Sequence, residues 1–159
     1  MDRVYAPWRS KYFSMPKESG CLFCDIQKER EDARVGILQR GDHWFTILNI
    51  FPYTNGHIMV VAKRHINNLS DITGEEGVEL IQMLARAEQA IDKAYNPDGM
   101  NVGVNRGAAA GAGITGHLHF HIVPRWKGDT NFMSSIAEIR VVSEELGSSY
   151  DNLKSYFDR

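Results

Sequence analysis

His117, His119 and His121 alternate with Leu118, Phe120 and Ile122. Side chains of an extended strand switch faces with a period of two, so three imidazoles share one face and three apolar side chains the other. The apolar face can bury itself against a helix. The imidazole face must line a polar site, because three titratable rings in an ordinary core would leave ring N–H groups and lone pairs unmatched. A metal-binding or merely polar strand face is the alternative to a catalytic strand. In the catalytic reading the middle ring is the natural nucleophile: a neutral imidazole nitrogen attacks phosphorus when the opposite nitrogen keeps its proton and an acceptor holds it. A nearby carbonyl would fix that tautomer on His119. His121, about 7 Å along the strand, would donate to a phosphoryl or leaving-group oxygen.

A ten-residue loop rich in Gly and Ala, GAAAGAGITG (107–116), feeds directly into this strand. Such a loop lets backbone amides approach a ligand and act as neutral donors to phosphate oxygens, with Gly111, Gly113, Ile114 and Thr115 as candidate contacts. It lacks the Gly-Lys-Ser/Thr ending of a Walker loop. Far upstream, Cys21 and Cys24 have the spacing of half a zinc knuckle; a closed site must recruit His or carboxylates from elsewhere. Free thiols and a redox dithiol remain open, although the surroundings do not look like a thioredoxin unit. His57 reads as a packed, hydrogen-bonded support and His43 as a loop residue.

The elements that must position these residues follow from periodicity and breakers. Residues 1–20 read as an irregular, aromatic-bearing arm that packs on its own domain or on a partner, and 25–34 as a short charged helix or turn. RVGILQR (34–40) and HWFTILNI (43–50) read as a hairpin around Gly41-Asp42, followed by strand HIMVVA (57–62). Val78, Ile81, Leu84, Ala85, Ala87 and Ile91 mark a helix over about 74–94, stopped at Asn96-Pro97-Asp98-Gly99. MNVGVN (100–105) and HLHFHIVPRW (117–126), the latter ended by Pro124, are further strands; AEIRVV (137–142) and an amphipathic helix over about 144–157 complete the chain. This is a single α+β domain over 21–159, an antiparallel sheet of about five strands with a long helix and a C-terminal helix. With 159 residues, 43% of them apolar, the chain can fill one core without disulfides. A net charge of −2 argues against a polycationic nucleic-acid binder. No apolar run is long enough for a membrane span and the opening lacks a secretory signal, so a cytoplasmic location is expected.

The sequence His117–Val123 resembles the signature of the histidine-triad (HIT) family of nucleotide hydrolases and transferases, and the likeness covers roughly 20–126. NIFPYTNGHIMVVAKRHI (49–66) is similar to that family's nucleoside-binding strand pair, Asn49 matching the ribose contact and Gly56-His57 the support behind the site; Asn105 with Gly107 matches the step before the phosphate loop. The resemblance implies a HIT-like fold and a covalent nucleotidyl intermediate on His119, with His121 at the phosphate and leaving group. Ile50 and Phe51 would flank the base. Zinc-bearing relatives pair two such cysteines with two histidines, which here are His65 and His117; this implies a structural zinc site of Cys21, Cys24, His65 and His117, with no redox cofactor. PRWKGDTNFM (124–133), YAPWR (5–9) and AGAGITGH (110–117) are most similar to the bacterial diadenosine tetraphosphate phosphorylase branch, which forms ATP and ADP with inorganic phosphate. A phosphoramidase, or a hydrolase using water, is the alternative. Those branches carry a Gln where this chain has Gly113, so Thr115 or backbone amides take over its contacts. A polyphosphate calls for a cation, for which Lys127, Arg125 and Arg106 are candidates, with Asn131 orienting a phosphate; magnesium on the substrate is compatible. Trp126, Phe132, Trp8 and Tyr5 read as packing residues. Homodimers built on the long helix and a neighbouring strand are common in the family, with a tetramer as the alternative.

Overall fold

Five strands form one antiparallel sheet: β1 (Ile37–Arg40), β2 (Trp44–Leu48), β3 (Ile58–Ala62), β4 (Gly99–Gly103) and β5 (His119–Arg125), in the order β1-β2-β3-β5-β4. The computed structural model describes residues 20–131 and 142–158. Helices α1 (Leu22–Ile26), α2 (Asp32–Val35), α3 (Gly74–Tyr95) and α4 (Leu146–Phe157) accompany the sheet.

Strand alternation sorts the two faces. Trp44, Leu48, Ile58, Val60, Leu118 and Ile122 join Leu80, Met83, Ala87, Ile91, Leu153 and Phe157 in the main core, under α3 and α4. Phe45, Ile47, Met59 and Val61 point the other way and gather with Ile37 and with Phe23 of α1 in a smaller cluster. β2 and β3 are buried at every position, since both faces of the central sheet are covered; this is why neither strand shows polar alternation. β5 is different. Its pairing sets His119 opposite Val61 and His121 opposite Met59, so the histidines lie on the face away from the main core.

Helix α3 begins in a reciprocal cap: Glu76 N–H donates to Thr73 Oγ1 at 3.3 Å, and Thr73 N–H to Glu76 Oε2 at 2.8 Å. It ends at Asn96, in the left-handed conformation with φ of 46°. At Gly56 (φ of 74°), a Cβ would lie 2.6 Å from the Tyr95 ring, so only glycine lets the loop before β3 pass the end of α3.

Three expectations change. Arg34 and Val35 belong to α2, not to the first strand, because Gly36 adopts φ of 80° and closes a helical turn before β1 starts. His117 and Leu118 precede the regular ladder of β5, although Leu118 N–H still donates to Ile66 O at 2.7 Å. Pro124 does not end β5, which runs on to Arg125. The Pro124 carbonyl accepts from Thr54 Oγ1, and in a strand a residue's N–H and C=O share one side, so the missing N–H falls where β3 pairing has already stopped at Ile122. The expected strand 137–142 lies outside the described residues except for Val142, which is not in a strand, and the arm 1–20 does so except for Gly20. No helix among the described residues is long and apolar enough to cross a membrane.

Candidate active site and metal cluster

The hydrogen bonds of β5 and its neighbours set opposite tautomers on two adjacent rings. His119, 3% exposed, donates Nδ1–H to the His117 carbonyl at 2.7 Å, which leaves Nε2 with a lone pair. His57 is buried, and its Nδ1 accepts from Tyr53 N–H at 3.1 Å. A neutral His57 therefore carries its proton on Nε2, which lies 3.0 Å from His121 Nδ1. His121 accepts there, so its own proton sits on Nε2. Burial pushes His119 below the ordinary histidine value, only partly offset by the bond to the His117 carbonyl. His121 is pushed down to about 4, by burial first and by His119 second. Both shifts favour neutral rings near pH 7, with a lone pair left on His119 Nε2 and an N–H on His121 Nε2.

Both rings line a cavity of about 760 Å³. Its walls include Leu22, Phe23 and Ile26 of α1, Ile47 and Leu48 of β2, and Leu146 and Tyr150 of α4, with Gly111, Gly113 and Ile114 near the histidines. Asn49, Ile50 and Phe51 also line it; Asn49 Oδ1 accepts from Phe51 N–H at 2.8 Å, and Asn49 Nδ2 lies 3.3 Å from His57 Nε2. A second cavity of about 500 Å³ shares Tyr53 and His121 with the first and contains Asn105, Asn101 and Thr130.

The candidate cations are placed less favourably. Arg125 is held by Asp129 at 2.6 Å and by Asn101 at 2.7 Å. Arg106 is bonded to Asn68, and Lys127 and Thr115 line neither cavity. Residues that sequence reasoning missed are apolar or act through backbone: Phe23, Leu22 and Ile26 between and beyond the cysteines, Tyr53 through its N–H, and Leu146 and Tyr150 of α4. The spacing of Leu22, Phe23 and Ile26 was the available signal for a short helix with one apolar side.

Cys21, Cys24, His65 and His117 converge although up to 96 positions separate them. One ligand atom from each lies within 4.8 Å of all the others. His117 Nδ1 is 3.1 Å from Cys21 Sγ and 3.6 Å from Cys24 Sγ, and His65 Nδ1 is 3.4 Å from Cys24 Sγ. A tetrahedral zinc with ordinary Zn–S and Zn–N bonds spaces its ligands about 3.3–3.8 Å apart, so the set fits with small adjustment. His117 Nε2 faces the Ala62 carbonyl at 2.6 Å, which places the proton on Nε2 and aims the Nδ1 lone pair at the thiols. Burial and the neighbouring Cys21 push the Cys24 thiol up, a penalty that a central cation reverses. The cluster can hold a metal, and His117 then has no nitrogen left for acid–base work.

Comparison with known proteins agrees with this geometry. The chain is 34% identical over 155 residues to the "AP-4-A phosphorylase" of Mycobacterium tuberculosis, covering 92% of this chain and 79% of that protein. It is 31% identical over 110 residues to the asymmetrical bis(5'-nucleosyl)-tetraphosphatase of Schizosaccharomyces pombe, covering 69% of this chain and 57% of that one. A Zn-bound histidine triad family protein from Mycobacterium smegmatis superposes with a TM-score of 0.68 at 26% identity, covering 87% of this chain and 94% of that one. The family model described as HIT domain matches residues 30–128, well over half of the sequence, and the chain belongs to that family.

Proposed function

We propose that the protein is a nucleotidyl transferase acting on diadenosine tetraphosphate, with inorganic phosphate as acceptor and ATP and ADP as products. The opposed tautomers of His119 and His121 carry this reading. His119 Nε2 attacks the α-phosphorus of one adenylyl group. The bond from that phosphorus to the bridging oxygen breaks, ATP leaves with the electron pair, and His121 Nε2–H donates to the departing oxygen. Inorganic phosphate then attacks the adenylyl-histidine, the P–N bond breaks, and ADP leaves with His119 restored. The apolar walls of the larger cavity suit the nucleoside, and amides of the small-residue loop suit the phosphates. Similarity to the phosphorylase supports phosphate as acceptor. Similarity to the tetraphosphatase favours a second reading, in which water takes that place.

Diadenosine tetraphosphate turned over with and without inorganic phosphate, with products separated by chromatography, decides between them. Phosphate-dependent ADP formation is expected; equal turnover to AMP without phosphate would reject phosphorolysis. H119A should form no acid-labile nucleotidyl-protein, and full activity of H119A would overturn the covalent route.

The Cys21, Cys24, His65 and His117 set is proposed to hold a structural zinc. When bound, the metal supplies a cross-link between α1 and the start of β5, with no part in bond making. A homodimer is proposed through Val78 and Ile81 of α3, 61% and 66% exposed, and Val102 of edge strand β4.

A further inference from the structure

A single hydrogen bond, from Nδ1–H to the His117 carbonyl, fixes one atom of the buried His119 imidazole and leaves the rest of its orientation to packing. Two rings restrict it. His121 lies with its centroid 5.0 Å away at 70°, and Phe23 with its centroid 5.1 Å away at 53°. Phe23 is 2% exposed and also meets His117 edge-on at 5.4 Å. One phenyl ring thus touches both the nucleophile and the residue whose carbonyl orients it. Phe23 sits between Cys21 and Cys24 on α1, a helix of 5 residues with no side-chain cap at its start. A helix that short does not hold itself together. Its placement comes from Phe23 in the smaller apolar cluster and from its two ends: the thiols beside His117 and His65, and Gln27, whose Nε2 donates to Lys63 O at 2.9 Å and whose carbonyl accepts from Arg40.

We propose that Phe23 is a positioning residue for nucleotidyl transfer, through which the Cys/His cluster sets the orientation of the His119 ring. The inference rests on the reading in which His119 attacks phosphorus. It separates two roles within α1. Leu22 and Ile26 line the same cavity without a ring contact to His119, and they act as wall for the nucleoside, Ile26 also packing on the smaller apolar cluster. Phe23 lines the cavity too, but its removal frees the attacking nitrogen to leave its line of approach, and small misplacements of a reacting atom cost about 100-fold in rate.

The test compares the zinc-loaded parent with F23L, F23M and F23Y, each checked for bound zinc and for its circular dichroism spectrum. Three quantities are measured: the saturating rate of nucleotidyl-histidine formation in a single turnover, AMP affinity by calorimetry, and the 15N shifts of the His119 imidazole. F23L and F23M are expected to lose about 10- to 100-fold in the saturating rate, a larger factor than any loss of AMP affinity that trimming the cavity wall brings. F23Y keeps the ring and should recover most of the rate. The 15N shifts should move from a fixed Nδ1–H tautomer in the parent toward an averaged one in F23L, and toward the same averaged value in parent protein stripped by a chelator. An unchanged saturating rate in F23L, a loss confined to AMP affinity, or F23Y as slow as F23L overturns the proposal. So does a 15N spectrum that responds to neither substitution nor chelation. A parent that forms no nucleotidyl-histidine at all refutes the proposed function instead, and the 15N comparison still tests the role of Phe23.

Discussion

Replacing His65 with alanine separates a metal centre from a cluster of thiols and imidazoles. His65 is exposed, and its Nδ1 contacts Cys24 Sγ at 3.4 Å. It also meets the His117 ring edge-on at 5.2 Å. Without a metal these are weak contacts at the surface, and their loss falls in the range of about 0.5 kcal/mol usual for surface substitutions. With zinc, one of four ligands disappears. Changing a residue that merely supports a ligand costs about 10- to 100-fold in metal affinity, so removing a ligand costs at least about 100-fold, or about 2.7 kcal/mol. Since metal binds the folded chain, that loss is passed on to stability whenever free zinc stays above both dissociation constants. For a chain of this length 1 kcal/mol corresponds to about 2–4 °C. H65A should therefore melt about 5–11 °C below the zinc-loaded parent, against about 1–2 °C for the metal-free case. Zinc content by elemental analysis, zinc competition with a chromophoric chelator, and calorimetric melting supply the three readings. H65A that keeps one zinc per chain at the parent's affinity refutes the reasoning, and so does a small melting shift in a parent that binds zinc tightly.

Other perturbations address separate parts of the molecule. Arg64, bonded to Glu76 at 2.6 Å, and the Thr73 N–H hold the Glu76 carboxyl down at about 2. A depressed carboxyl stabilises the fold above its unfolded value of about 4.3, and that contribution is lost as pH falls from there through about 2. Melting curves of E76Q should be flatter than the parent's across that window, and parallel curves would reject the linkage. H57L removes both the acceptor for Tyr53 N–H and the donor to His121 Nδ1. Single-turnover kinetics should show about a tenfold slower transfer with AMP affinity nearly unchanged; an unaltered rate would remove His57 from the orientation of His121. Ile81→Glu sets a charge on the exposed apolar face of α3 and should convert a dimer to a monomer in sedimentation velocity, whereas a variant that sediments as the parent does would move the interface elsewhere.

The strand carrying His119 and His121 was legible because imidazoles alternate with apolar residues at a period of two, although His117 falls just before its regular ladder. The tautomer of His119 was legible as a requirement of the proposed attack, and the His117 carbonyl that meets it is a backbone atom only two residues away. The metal set was different. Spacing gave Cys21 and Cys24; His65 and His117 came from resemblance alone, since ligands 41 and 96 positions away leave no local pattern. Phe23 was hidden for a related reason: an aromatic between two cysteines reads as filler until the fold sets it against His119. The first strand was read too long because Arg34 to Arg40 contains β-branched residues, and Gly36 in a left-handed conformation outweighs that preference. Charge type was legible at Arg125, but not its commitment to Asp129, whose carboxyl that guanidinium holds well below the usual range.

The placement of charge bears on how a polyanion is handled. Arg34 and Arg125 are the cations among the described residues that line the two cavities, and each is paired, with Glu29 at 2.9 Å and with Asp129 at 2.6 Å. Under the proposed function, phosphate recognition then falls to neutral donors, for which the amides of residues 107–116 and the Nε2–H of His121 are the candidates. A free cation would grip substrate, intermediate and product polyphosphates alike, and such uniform binding lowers KM without speeding the chemical step. Fixed N–H dipoles act at short range, where negative charge builds on the transferring group and on the departing oxygen. The burial that keeps His121 neutral thus has two consequences at once. In the proposed reaction it withholds a cation that would slow product release, and it leaves a single N–H to offer the departing oxygen.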